Sequence, residues 1–166
     1  MILYKDIFGC VRYFPYWKDA ISCAKDRMVM IMDSHEDFND KIAEKALDDF
    51  KDLCVLEHMY TEAEIYLHFP EGVGSLTTGI CTLTYIPTTE NCTRVLKYLY
   101  DIKDRQYSYA TPSTIKKDLE FNKVGSVVGS LIGLRRHDIV KVKRILMPDG
   151  QESAPYYCYN NGKHYD

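Results

Sequence analysis

The stretch from Thr111 to Asn160 leaves a chain like this few ways to fold. It opens with Thr111-Pro112, a hydroxyl that can cap orphan amides followed by a proline at the first helical position, where no amide is missed. Ile115 and Leu119 stand four apart, on one face of a short helix. Phe121-Asn122-Lys123 breaks it. Val124, Val127, Val128, Leu131, Ile132 and Leu134 then recur at threes and fours, which predicts a second helix with an apolar face. Ile139 to Ile145 alternates and is rich in β-branched residues, which predicts a strand. Pro148-Asp149-Gly150 is turn chemistry, and Tyr156, Tyr157 and Tyr159 supply a returning strand.

Upstream, Thr88 or Thr89 caps a helix that reaches Lys103, with Val95, Leu96, Leu99, Tyr100 and Ile102 on its apolar side. Asp104 to Ala110, with Tyr107 and Tyr109, reads as a loop or as a short strand pairing with the hairpin. The order of helix, short helix, helix and hairpin resembles the winged helix-turn-helix superfamily over the C-terminal half of the chain. Val127, Leu131 and Leu134 fit its recognition-helix spacing, and Ile139-Val140 fits the apolar pair before the wing. Asp138 stands where that pattern most often has Gly.

The resemblance implies a recognition helix lying in the major groove of duplex DNA, with Lys and Arg side chains on the phosphates. It assigns phosphate contacts to Lys116, Lys117 and Lys123, and in the wing to Lys141, Lys143 and Arg144. Arg135 and Arg136 close the recognition helix. It turns Gly125, Ser126, Gly129, Ser130 and Gly133 toward the groove. Here the chain departs from the pattern, because bidentate base readout needs Arg, Lys, Asn or Gln and this face has none. Glycine inside a helix costs roughly 1 kcal/mol relative to alanine, so three of them ask for a reason. One is close approach to a phosphate backbone, with amides and the hydroxyls of Ser126 and Ser130 touching the strand. The other is close approach to a protein helix, for which Gly125, Gly129 and Gly133 repeat every four residues.

Charge divides the chain. Residues 1–88 carry 8 Lys+Arg against 15 Asp+Glu, and residues 89–166 carry 13 against 9, within a net charge of -3. A basic module joined to an acidic one fits nucleic-acid contact by the second and partner binding or dimerisation by the first. A hydrophobic share of 46% supports a true core. The six cysteines contain no CxxC pair, and no His stands at zinc-finger spacing. No secretory signal opens the chain and no apolar run of about 20 residues crosses it, so the expectation is an intracellular protein with reduced thiols and no membrane contact. Asn91-Cys92-Thr93 is then a chance match to a glycosylation acceptor.

The N-terminal half is less decisive. Residues 2–14 can be strand or helix. Pro15 starts a helix with Trp17, Ile21 and Ala24 on one side. Met28-Val29-Met30-Ile31-Met32 reads as a buried strand, core filler rather than a pliable binding surface. Asp33 or Ser34 caps a helix through Phe38, Ile42, Ala46, Phe50 and Leu53. His35-Glu36-Asp37 serves there as a first-turn acidic cap more simply than as a metal or acid–base cluster. Ala63–Phe69 and Gly79–Ile86 alternate and predict a β-hairpin with a long tip, and Gly72-x-Gly74 in that tip lacks the third Gly and following helix of a dinucleotide site.

Taken together, these features predict a mixed α+β chain. A small acidic α/β domain, 1–87, whose topology the sequence leaves open, precedes a winged helix-turn-helix domain, 88–166. The function expected is duplex DNA binding by a homodimeric transcriptional regulator. The alternative is a protein-interaction module whose Gly125, Gly129 and Gly133 line the binding face. No nucleophile–base pair, metal set or cofactor fingerprint stands out, and His35, His58, His68, His137 and His164 are scattered, so no enzyme activity and no cofactor are expected.

Overall fold

Residues 2–14 form two strands, β1 (Ile2–Asp6) and β2 (Val11–Phe14), paired antiparallel with Ile2 opposite Phe14 and Lys5 opposite Val11. The computed structural model describes residues 1–6, 8–33, 62–68 and 77–160. The chain divides into two compact units, Met1–Pro87 and Thr88–Asp166.

In the first unit, β3 (Glu62–His68) and β4 (Thr77–Tyr85) pair as the hairpin expected from their alternation, with a bulge between Ile65 and Tyr66. β1 lies on the far side of β4, so the strand order is β2-β1-β4-β3, antiparallel throughout. The register puts Ile2, Tyr4, Asp6, Arg12, Phe14, Cys81 and Leu83 on one face. Helix α1 (Trp17–Asp33) packs against β1, β2 and β4, burying Ala20, Ile21 and Ala24.

Met28–Met32 is not a strand: it is the last part of α1. A short apolar run has no period of its own, and nothing between Arg27 and Met28 stops the helix already running. The helix expected from Asp33 or Ser34 onward lies outside the described residues, as do His35, His58 and His164, Cys54 and the hairpin tip with Gly72 and Gly74.

The second unit holds α2 (Glu90–Asp101), α3 (Pro112–Asp118), α4 (Val124–Arg136), β5 (Val140–Lys143) and β6 (Tyr156–Tyr159). Thr89 caps α2 by accepting from the Cys92 amide at 3.3 Å. Thr111 caps α3 by accepting from the Thr114 amide at 3.2 Å, with Pro112 beginning the helix. α2 and α3 both pack on α4, and β6 lies against α2. The core is Val95, Leu96, Leu99, Ile115, Phe121, Val127, Leu131, Leu134, Ile139 and Val140. Tyr100 and Tyr159 meet edge to face, their centroids 4.9 Å apart.

β5 and β6 pair antiparallel, Val140 opposite Tyr159 and Lys143 opposite Tyr156. The strand is shorter than its alternation predicts, because Ile145 already belongs to the tip. Ala110 joins the hairpin by a single bridge to Tyr157, with hydrogen bonds of 2.9 and 2.8 Å in the two directions. The described residues thus form a mixed α+β chain with four helices, a four-stranded sheet and a two-stranded sheet. Among them, no helix is long and apolar enough to cross a membrane.

Candidate functional site

α4 is the helix around which the candidate residues gather. Val127, Ser130, Leu131 and Leu134 are its buried positions. Its opposite side is therefore Gly125, Gly129, Ile132 and Arg136, with Val128 half-buried beside them; Val124, seven residues before Leu131, is exposed at the open first turn. The helix has no side-chain cap: Lys123 precedes it with extended backbone, and the Ser126 amide turns back to the Lys123 carbonyl at 3.3 Å.

Two of the five residues expected to face a groove do not lie open. Ser130 is buried, and its hydroxyl donates to the Ser126 carbonyl at 3.0 Å, one turn back along its own helix. Such back-bonding lets a serine sit on the core side, where it can touch no phosphate. Gly133 is half-buried, and a Cβ built there would lie 3.9 Å from the Cys92 sulfur. Gly125, Ser126 and Gly129 are exposed. A Cβ at Gly125 or Gly129 would meet nothing within 4 Å. Packing inside the protein therefore does not require glycine at either position.

The basic residues occupy α3, both ends of α4 and β5. Lys117, Lys123, Arg135, Arg136, Lys141 and Lys143 are exposed and Lys116 is half-buried. Among the described residues none of these seven forms an ion pair. Arg144 differs, because its guanidinium lies 3.0 Å from Glu152 across the hairpin. That partner, eight residues further along, is invisible to local spacing, and the pair is exposed on both sides. Lys141 and Lys143 stand two apart on β5, so they share its outer side, while Val140 is buried on the inner side. Lys143 also lies over the Tyr109 ring, 5.8 Å from its centroid. A hydrogen bond to the Cys158 thiol raises the Tyr109 hydroxyl above its ordinary pKa, and burial raises the Cys158 thiol.

α3 is held on α2 by polar contacts. Tyr98 donates its hydroxyl to Asp118 at 2.7 Å, and Arg94 donates to the Leu119 carbonyl while its guanidinium covers the Phe121 ring. Burial, and then Asp118, push the Tyr98 hydroxyl up to about 12. Asp138 links α4 to β5 with φ of 56°, the left-handed backbone that favours glycine and that Asp tolerates better than most residues.

Sequence spacing misses the hairpin tip. Ile145, Leu146 and Met147 are all exposed, beside Pro148-Asp149-Gly150. A signal was present: in a strand with a period of two, three consecutive apolar residues cannot all face one core.

The first unit buries a charged cluster that the sequence reading passes over. The Asp6 carboxylate accepts from the amides of Phe8 and Cys10 at 2.9 Å and from the Tyr4 hydroxyl at 3.1 Å, and it pairs with Arg27 at 2.9 Å. Beside it, an Arg12 Nη lies 3.8 Å from the Cys23 sulfur, and the buried Arg12 Nε finds no hydrogen-bond partner among the described residues. Burial pushes the Cys23 thiol up and the Cys81 thiol up to about 12, so both are held neutral and poorly nucleophilic. Among the described residues, no group of three or more His, Cys, Asp or Glu is placed to hold a metal ion.

No protein-family model, curated protein or solved structure matches the chain.

Proposed function

We propose that the C-terminal unit is a winged helix-turn-helix that docks on duplex DNA through α4, with the β5–β6 hairpin as its wing. The observation that carries this reading is a set of exposed cations without ion-pair partners among the described residues: Lys117 on α3, Lys123 and Arg135-Arg136 at the two ends of α4, and Lys141 and Lys143 on β5. Charges left unpaired around one exposed helix suit a phosphate backbone. The uncapped start of α4, beside Lys123, suits an anion as well. With Gly125, Ser126 and Gly129 in the centre, contact is to the backbone and to groove shape rather than to base edges. On this reading the protein is a transcriptional regulator, and its acidic N-terminal unit binds a partner.

Fluorescence anisotropy with random duplex tests it. For about four neutralised phosphates, affinity falls roughly a hundredfold between about 50 and 200 mM salt. Lys141→Glu with Lys143→Glu abolishes binding if the wing takes part. A folded wild-type protein that ignores duplex even at the lower salt sinks the proposal.

One observation favours a second reading, a protein contact at the same face. Ile132 is 47% exposed, on the side where Gly125 and Gly129 leave open space. Apolar and small residues together suit an apolar partner better than they suit bases.

A further inference from the structure

Leu146 is the most exposed aliphatic side chain among the described residues, at 72%. It stands in a tip whose backbone is tied down. Met147 donates its amide to the Gln151 carbonyl at 2.8 Å, and Gly150 donates to the Met147 carbonyl at 2.9 Å. Ser153 donates its amide to the Ile145 carbonyl at 2.8 Å, and its hydroxyl oxygen accepts the Ile145 amide at 2.9 Å. Gly150, with φ of 81°, closes the turn. Ile145, Leu146 and Met147 are thus held out into water by an ordered scaffold, at a standing cost in hydration.

Charge narrows the choice of what covers them. The tip, residues 144–152, contains two carboxylates, Asp149 and Glu152, and one cation, Arg144, which pairs with Glu152 at 3.0 Å, so a net charge of -1 remains, on Asp149. Such a tip gains nothing from a phosphate backbone, unlike the Lys141 and Lys143 side of β5. Residues 123–136 contain three cations, Lys123, Arg135 and Arg136, and no carboxylate. Between those cations lie the exposed Ile132 and the open positions Gly125 and Gly129. The tip and this face are opposite in charge and alike in apolar character. Both remain exposed within one chain, so neither covers the other there.

We propose that the α4 face receives the β5–β6 tip of a second copy of this chain, Leu146 seating against Ile132 over the glycines. The inference rests on the protein-contact reading of α4 and names its partner. In a twofold pair the contact is made twice, tip to face and face to tip. DNA phosphates and the acidic tip are then rivals for one basic face.

Sedimentation of the full chain without DNA, from micromolar to hundreds of micromolar, tests this. Wild type forms a dimer. Leu146→Glu, an exposed change that leaves the fold alone, weakens association roughly thirtyfold or more, as does Ile132→Glu on the opposite partner surface. Mixing the two variants restores association, because one supplies an intact tip and the other an intact face. A monomeric wild type, a Leu146→Glu protein as dimeric as wild type, or a mixture no tighter than its components overturns the proposal. If wild type is monomeric but Ile132→Glu abolishes duplex binding, α4 remains a contact face and only the second copy is removed.

Discussion

The two units hold their parts in place by different means. In the first, one carboxylate organises the structure: Asp6, with its side chain fully covered, gathers two amides, a tyrosine hydroxyl and Arg27. The Arg27 partner lies on α1, across a packing interface from β1. In the second unit the polar contacts are dispersed, from Tyr98–Asp118 and Arg94–Leu119 between α2 and the end of α3 to Asn160–Asp138. Thr89 and Thr111 each satisfy an amide three residues on, and the core between the helices is apolar. The comparison teaches where each unit is fragile. A network focused on one buried charge fails all at once, while dispersed contacts fail one at a time.

The largest test of that contrast is Asp6→Asn. Removing the charge weakens every bond the covered carboxylate accepts, while Arg27, partly exposed, can turn to water, so the cost is about 2 kcal/mol. In urea titrations followed by amide exchange, β1 and α1 lose protection while α2, α3 and α4 keep theirs. Equal loss in both units would erase the distinction. Thr111→Ala is a smaller break, about 1 kcal/mol, confined to the start of α3 and rescued by Thr111→Ser. The smallest effect is one of pH. The Tyr98 hydroxyl is raised from the ordinary 10 to about 12, so its contribution is whole below pH 10 and disappears as pH climbs through 12. The urea midpoint of wild type therefore converges on that of Tyr98→Phe over that interval.

Legibility in the sequence follows the same divide. α2, α3 and α4 are readable because a Thr cap, a proline and a period of three and four are all short-range signals. The β3–β4 hairpin is readable from alternation. What escapes depends on residues far apart or on a choice between equal local options. Met28–Met32 carries no period and simply continues α1. Ser130 looks like a surface serine until its hydroxyl is seen returning to the Ser126 carbonyl. Arg144 looks free until Glu152 crosses the hairpin. The Asp6 network leaves only a faint trace, an Asp three residues before Gly9, which is turn chemistry without any hint of Arg27. Of the candidate site, the basic residues are legible as types, but which of them remain unpaired is a property of the folded chain.

Asp138 carries one last consequence. Its left-handed backbone sits between the end of α4 and the start of β5, and Asn160 braces it by donating its side-chain amide to the Asp138 carbonyl at 2.7 Å and its backbone amide to Ile139 at 2.9 Å. The joint is an elbow locked at one setting. Helix and hairpin therefore meet any partner as a caliper of fixed opening, and a partner that fits one arm must be the right width for the other.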